Sequence, residues 1–401
     1  TLVIVRLAQL QVLKYDYYSA ASSGNQIRAE PIPPIRGLLL DRNGKVLAEN
    51  KPSYQLEITP ERVPDMQDTL DQLVAARILA AEDLGELREL LASRRSFETL
   101  VIAEHLSDEE LAAFAVRRPH FPGLEVRARL GRSYPWGEAA AHVLGYVGSL
   151  SADDKRELDP VEYAGTTHVG KSAAERSFES ELHGTSGHED VVVNAHGRKM
   201  RVLKRVRPLP GQDVILTIDL DAQLAASSAL VGRRGAVVAI DPDTGEVLAF
   251  TSTPGYDPNA ISAGLSRRAY LALQEDIDRP LFNRALRGQY PPGSTIKPIV
   301  GLAGLHFGVI TPQKRVYCGG AYSLPGSSHR YRDWKPEGHG SVGLYESIEQ
   351  SCDVYFYGLA RALGIERMGG FMREFGLGAS TGIDMEGEQS GVVPSAAWKK
   401  K

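Results

Sequence analysis

The sequence predicts an α+β protein, and three observations carry that prediction. Short apolar runs broken by Gly, Pro and Asn-Gly turns fill 24–60 and recur over 119–150. A helical apolar period runs from Asp65 to Ala92. A second hairpin signal, GAVVAIDPDTGEVLAFTST, then precedes a mixture of helical runs and Gly-rich loops. The 401 residues suffice for two or three domains, and 42% hydrophobic with 24% charged residues is ordinary for a folded chain. The 40 glycines and 23 prolines have no period, which excludes collagen-like and low-complexity chains. A net charge of −4 offers no basic excess for nucleic acid. Two cysteines cannot form a disulfide scaffold.

The first residues, TLVIVRLAQLQVL, are apolar but interrupted by Arg6, Gln9 and Gln11. They are too short to cross a bilayer core, which needs about 20 apolar residues. They fit either an amphipathic first helix or the outer end of a membrane helix. Asn43-Gly44, between LLLD and KVLA, is a hairpin turn whose residues tolerate positive φ. Over 65–92, Leu70, Leu73, Val74, Ile78, Leu84, Leu87, Leu90 and Leu91 keep helical spacing. Ser107 followed by Asp108, Glu109 and Glu110 reads as an N-cap with an acidic first turn. The stretch 163–215 is rich in Gly, charge and β-branched residues and is expected to be extended and partly exposed. This half contains no convergent catalytic set and reads as a scaffold. Pro208-Leu209-Pro210-Gly211 marks a boundary. A helix is expected at 219–231, then the 235–253 hairpin, whose near-continuous apolar character predicts burial on both faces.

The sharpest chemical feature is Tyr-Pro-Pro-Gly-Ser-Thr-Ile-Lys-Pro over 290–298. Ser294 and Lys297 share one side of a helix's first turn. A serine hydroxyl needs a base to become a nucleophile, and a lysine can serve where its surroundings lower its pKa. Chance alone supplies about one Ser-x-x-Lys in a chain of this composition. This match is the only one, and it follows a turn and opens the apolar run IVGLAGL. The bland alternative makes Ser294 a helix N-cap. Ser351-Cys352-Asp353 precedes VYFYGLA. It supplies either a second hydroxyl facing the nucleophile or, again, an N-cap at Ser351 or Asp353.

Taken together, PPGSTIKP, SCD, IDPDTGEVLAFTSTPGYDPN, RGLLLDRNGKVLAEN and YAGTTHVGKSAAERSFESELHG, running on into VVNAHGRKMRVL, resemble the class B penicillin-binding proteins, in particular their elongation-specific branch. The resemblance extends from about Ile27 to Trp398. It implies an elongated β-rich pedestal with a small helical head, followed by a penicillin-recognising transpeptidase fold, an antiparallel sheet flanked by helices. The expected parts are the end of a membrane anchor at 1–14, a pedestal at 15–209 with its head at about 60–150, and a transpeptidase domain at 210–401. Ser294 would be the acyl-accepting nucleophile and Lys297 its general base. Ser351 would pass the proton to the leaving D-Ala, and Asp353, where the commoner motif has Asn, would orient Lys297. The charge of Asp353 should raise the lysine pKa rather than lower it.

The family's third motif, Lys-Thr-Gly or Lys-Ser-Gly, does not occur. Its strand should border the substrate and give one oxyanion N–H, the other being that of Ser294. Losing one such donor costs about 100- to 1,000-fold in rate. The chain is therefore expected to be part of a longer protein and inactive as it stands.

The resemblance also implies a single-pass inner-membrane protein with a periplasmic catalytic domain that crosslinks peptidoglycan stem peptides. It implies acylation by β-lactams, no organic cofactor, and partnership with a SEDS-type glycosyltransferase and rod-shape elongation proteins. A serine β-lactamase or β-lactam sensor shares Ser-x-x-Lys but needs no pedestal and needs a deacylating carboxylate. A non-catalytic cell-wall scaffold is the other alternative. Between and beside the motifs, Cys318, Asp333, His339 and Cys352 offer S, O, N and S donors that suit a closed, structural tetrahedral Zn²⁺. A Cys318–Cys352 disulfide and two unrelated buried thiols remain alternatives. His142, His306 and His329 have no matching partners and read as surface or packing residues.

Overall fold

The computed structural model describes residues 27–194 and 199–400, so the expected anchor at 1–14 lies outside the described residues. No helix among the described residues is long and apolar enough to cross a membrane. The chain divides into two compact units, Thr1–Ala285 and Leu286–Lys401.

In the first unit, β1 (Ile27–Ile32), β8 (Gly187–Val193) and β9 (Lys199–Val206) form an antiparallel three-stranded sheet in the order β1-β8-β9. A second sheet runs β10-β2-β3-β4, from β2 (Leu39–Leu40), the long β3 (Val46–Ile58), β4 (Leu100–Ala103) and β10 (Val214–Ile215). The ten-residue β5 (Leu124–Ser133) pairs with β3 along its whole length, and β6 (Val147–Ser149) pairs with β7 (His168–Gly170). The β2–β3 turn forms where Asn43-Gly44 predicted it. Asp41 closes it by accepting from the N–H groups of Asn43 and Lys45, both at 2.8 Å, and only Gly44 takes positive φ.

The helical pattern over 65–92 resolves into Met66–Ala75 and Leu84–Ser93, interrupted at Arg77, where φ is +59°. Asp65 caps the first of these helices. Ser107 and Glu110 form the reciprocal capping box on Asp108–Arg117. These helices bury Leu70, Leu73, Leu87 and Phe114 against Leu56, Ile58 and Leu124 of the strands. Each fully buried side chain of this size contributes about 1.5–3 kcal/mol.

Two expectations are corrected. The 163–215 stretch is not extended throughout, because Ala173–Ser177 and Glu179–His183 are helical. Their inner face carries charge, which hides the helical stripe in the sequence. Glu175 is fully buried between Arg36 Nε at 2.7 Å and Arg132 Nε at 2.6 Å, and Arg36 also reaches Glu179 at 2.8 Å. Burial pushes the Glu175 carboxyl up, but Arg36 and Arg132 outweigh it and hold it below the usual carboxylate range. The hairpin β11 (Gly235–Ile240) and β12 (Val247–Thr253) forms as expected, but β11 is not buried on both faces. Its residues alternate in burial, so Val238 and Ile240 lie on the face of the ribbon that stays exposed. A helix at Leu220–Ala229, capped by Asp219, precedes the hairpin.

The second unit packs helices Lys297–His306, Leu344–Glu349, Asp353–Leu363 and Ile365–Glu374 around a core of Val300, Ala303, Tyr355, Leu359, Leu363 and Phe371. Two ribbons flank it: β13 (Val316–Cys318) with β16 (Gly340–Val342), and β14 (Ala321–Ser323) with β15 (Arg330–Arg332).

Candidate active site

Pro291-Pro292 and Gly293, at φ +56°, turn the chain into a 3₁₀ turn, Gly293–Ile296, that runs directly into the helix starting at Lys297. Ser294 lies inside that turn and caps no helix, so its hydroxyl remains exposed. Lys297, one turn on, is buried. Its helix packs on the Asp353–Leu363 helix, with Gly304 facing Leu359. A Cβ there would stand 2.8 Å from Leu359 Cδ1, inside any real contact distance.

That approach brings Lys297 to the second motif. Its Nζ donates to the Ser351 carbonyl at 2.8 Å, to Ser351 Oγ at 3.0 Å and to Asp353 Oδ1 at 2.7 Å. Ser351 Oγ donates to Ser294 Oγ at 2.9 Å. Hydrogen bonds thus join Ser294 to Lys297 through the Ser351 hydroxyl. The buried Phe356 ring lies 5.6 Å from the same Nζ.

Ser351 holds this position at a cost. It has φ +54°, and it ends the Leu344–Glu349 helix in a Schellman arrangement. The Ser351 N–H bonds Ile348 O at 3.1 Å and the Cys352 N–H bonds Ser347 O at 2.9 Å. Glycine is the usual residue there, and a serine costs about 1 kcal/mol more. Neither Ser351 nor Asp353 caps the following helix. Asp333 does so from 20 residues upstream: its Oδ2 accepts from the N–H groups of Asp353 at 2.9 Å and Val354 at 3.2 Å.

Asp333 also belongs to the four-residue cluster. One donor atom from each of Cys318, Asp333, His339 and Cys352 lies within 4.8 Å of the others. Cys318 Sγ is 3.4 Å from Asp333 Oδ2 and 3.5 Å from His339 Nδ1, which is 3.5 Å from Asp333 Oδ1. Tetrahedral zinc with bonds of about 2.0–2.3 Å separates its ligands by about 3.3–3.8 Å. The donor set therefore fits that ion. Both cysteines are buried free thiols. Burial, then Cys318 and Asp333 beside it, push the Cys352 thiol up to about 12.

The sequence reached all eight of these residues but missed the cap made by Asp333, the left-handed Ser351 and the ring of Phe356. Only the aromatic run after Asp353 hinted at the last of these. Of the histidines read as packing, His142 is buried against Tyr256 at 5.2 Å, with ring planes near perpendicular, and His306 lies 5.2 Å from Phe371. His329 is exposed.

A serine hydroxyl, a lysine one turn on and a second, bridging hydroxyl thus meet beside a helical core. Residues 31–216 match the penicillin-binding protein dimerisation domain and 235–401 match the penicillin-binding protein transpeptidase domain. The chain belongs to the class B penicillin-binding proteins. It is 43% identical over 403 residues to the peptidoglycan D,D-transpeptidase MrdA of Escherichia coli K12, a match covering 100% of this chain and 64% of that protein. Among solved structures it is similar to Pseudomonas aeruginosa PBP2 in complex with WCK 5153. That match has 39% identity and a TM-score of 0.66, over 93% of this chain and 62% of the other. It is also similar to Helicobacter pylori PBP2 in complex with MreC, at 29% identity and a TM-score of 0.75, over 93% and 70%. The chain spans 59–65% of the length of the curated MrdA relatives.

Proposed function

We propose that the protein is a serine-type peptidoglycan D,D-transpeptidase, and the Ser294–Ser351–Lys297 hydrogen-bond chain is the observation that carries this. Ser294 Oγ attacks the penultimate D-Ala carbonyl of a stem peptide. Its proton passes through Ser351 Oγ to Lys297 in the neutral form. The C–N bond breaks, the proton returns by the same hydroxyl to the departing D-Ala amine, and an acyl-enzyme remains. An amine of a second stem peptide then attacks the ester, forms the crosslink and frees Ser294. The Ser294 backbone N–H supplies one donor to the oxyanion. Asp353 holds Lys297 in register with Ser351. β-Lactams acylate Ser294 as mimics of the dipeptide.

No organic cofactor takes part. Zn²⁺ would be held by Cys318, Asp333, His339 and Cys352, where it supplies structural rigidity rather than a reactive site. Cys352 lies between the two functional side chains of the second motif, so fixing its sulfur fixes Ser351 and Asp353. We place the pedestal at 15–209 and the transpeptidase domain from 210, supported by the two family matches. Membrane attachment through 1–14 in the bacterial inner membrane, a periplasmic catalytic domain and a SEDS-type partner complete the proposal. The Helicobacter pylori PBP2–MreC complex supports partners in the elongation machinery.

Intact-protein mass spectrometry after incubation of the full-length protein with labelled penicillin tests the reading. One adduct, mapped to Ser294 and lost in Ser294→Ala, is expected. A full-length protein that takes no label overturns it.

A further inference from the structure

The segment between the helices Ile365–Glu374 and Ala396–Lys399 contains no helix or strand, yet it is held at several points of its own. Met385 buries its side chain. Glu388 Oε1 accepts from the Thr381 N–H at 2.7 Å. Gly378, at φ +86°, lies so near Val393 that a Cβ on it would stand 2.9 Å from Val393 Cγ2. At the far end the Ala396 N–H donates to Glu366 Oε1 at 3.1 Å. These contacts close residues 378–396 into a strap.

The strap meets the stretch that leads into the nucleophile turn. The Gln389 N–H donates to the Leu286 carbonyl at 3.2 Å, and Gln289 Nε2 donates to the Ser390 carbonyl at 2.7 Å. Leu286 is buried and anchors the first contact. Gln289 is exposed, and among the described residues its side-chain amide makes no other hydrogen bond. Folding of the strap does not account for this glutamine, because Met385, Glu388 and Gly378 close the strap without it.

From Gln289 to Ser294 the chain has little freedom. Pro291 and Pro292 have fixed φ angles. The Pro292 carbonyl accepts from the Thr295 N–H at 3.3 Å and from Thr295 Oγ1. Ser294 sits inside that closed turn, with Ser351 Oγ at 2.9 Å from its hydroxyl. The directions of Ser294 Oγ and of its N–H, the oxyanion donor, therefore follow where the lead-in is held. We infer that Gln289 is a positioning residue for acyl transfer, which fastens the strap to the lead-in and so fixes the nucleophile and its N–H for the transition state. The inference rests on the transpeptidase reading and adds a residue outside both short motifs.

One such hydrogen bond is worth about three- to tenfold in rate if it is lost from the transition state. The probe is a chromogenic cephalosporin, followed by stopped flow on the full-length protein so that the binding constant and the acylation rate constant are read separately. Gln289→Met keeps the side chain's length without a donor. It should slow acylation by about three- to tenfold, with binding and the pH profile of acylation unchanged, because Lys297 and its partners are untouched. Gln289→Lys restores a donor and should restore the rate. Hydrogen exchange read on the peptide 386–393 should quicken in the Met variant and return to the wild-type rate in the Lys variant. Acylation of the Met variant at the wild-type rate, a loss confined to binding, or a Lys variant as slow as the Met variant overturns the inference. So does faster exchange throughout 286–401 with a lowered thermal midpoint, which would make Gln289 a general stability residue. A wild type that is never acylated overturns the transpeptidase reading instead, and the exchange comparison then decides by itself whether Gln289 fastens the strap.

Discussion

Removing the Ser351 hydroxyl tests both the chemistry and the backbone of the site. That oxygen stands 2.9 Å from Ser294 Oγ and 3.0 Å from Lys297 Nζ, and the hydrogen-bonded path between them runs through it. Positioned proton transfer supplies about 10²–10⁴ in rate, which is about 3–5 kcal/mol of barrier. Ser351→Ala should therefore slow penicillin acylation of the full-length protein by that factor, read by stopped flow with a chromogenic cephalosporin. Ser351→Gly should lose as much rate. Because φ is +54° at this position, the glycine variant should nonetheless be about 1 kcal/mol more stable than the alanine variant. A domain of this size shows that as a rise of about 2–4 °C in Tm. Acylation of Ser351→Ala within about threefold of wild type would show that the proton takes another route. A glycine variant less stable than the alanine variant would refute the assignment of strain.

Three further outcomes are expected. Purified protein should contain one zinc per chain by elemental analysis, and Cys352→Ala or Asp333→Asn should abolish it; metal-free protein whose thiols react only after reduction would point to a disulfide instead. Glu175→Gln should cost about 3–5 kcal/mol in urea unfolding, because Arg36 and Arg132 lose their buried carboxylate partner; a loss under about 1 kcal/mol would mean the cluster is solvated. Burial, with Arg284 adding to it, depresses the buried His142 to about 4, against the opposing backbone groups of Pro254 and Pro280. The unfolded chain therefore takes up this proton first, and stability should fall as pH drops from about 6.5 to 4, by up to about 1.4 kcal/mol per unit. A His142→Gln variant should lose that slope, and an NMR titration giving His142 an ordinary pKa would dismiss it.

How far the site was legible differs from residue to residue. Ser294 and Lys297 lie three positions apart, in a turn that the preceding Pro, Pro and Gly set up, so their proximity follows from local geometry. The Ser107 capping box and the Asp41–Lys45 turn were legible for the same reason. The helices over 173–183 were not, although Ala174, Phe178 and Leu182 keep a helical interval. Two of their buried positions are Glu175 and Glu179, and a charge reads as solvent-facing until Arg36, 139 residues from Glu175, is seen beside it. β11 misled in the opposite sense: its apolar run promises burial on both faces, but its residues alternate and one face stays exposed.

By itself the sequence determined the α+β class, the local turns and caps, and which side chains are candidates for acyl transfer or metal binding. All of these depend on residue identity and on interactions across a few positions. Tertiary structure alone decided that Lys297 meets Ser351 across 54 residues, through packing of their two helices. It also decided that Asp333 caps the helix of Asp353, and that Ser351 adopts a conformation serine disfavours locally. Interactions of that kind are set by packing over long sequence separations, where neighbouring residues carry no signal of the partner.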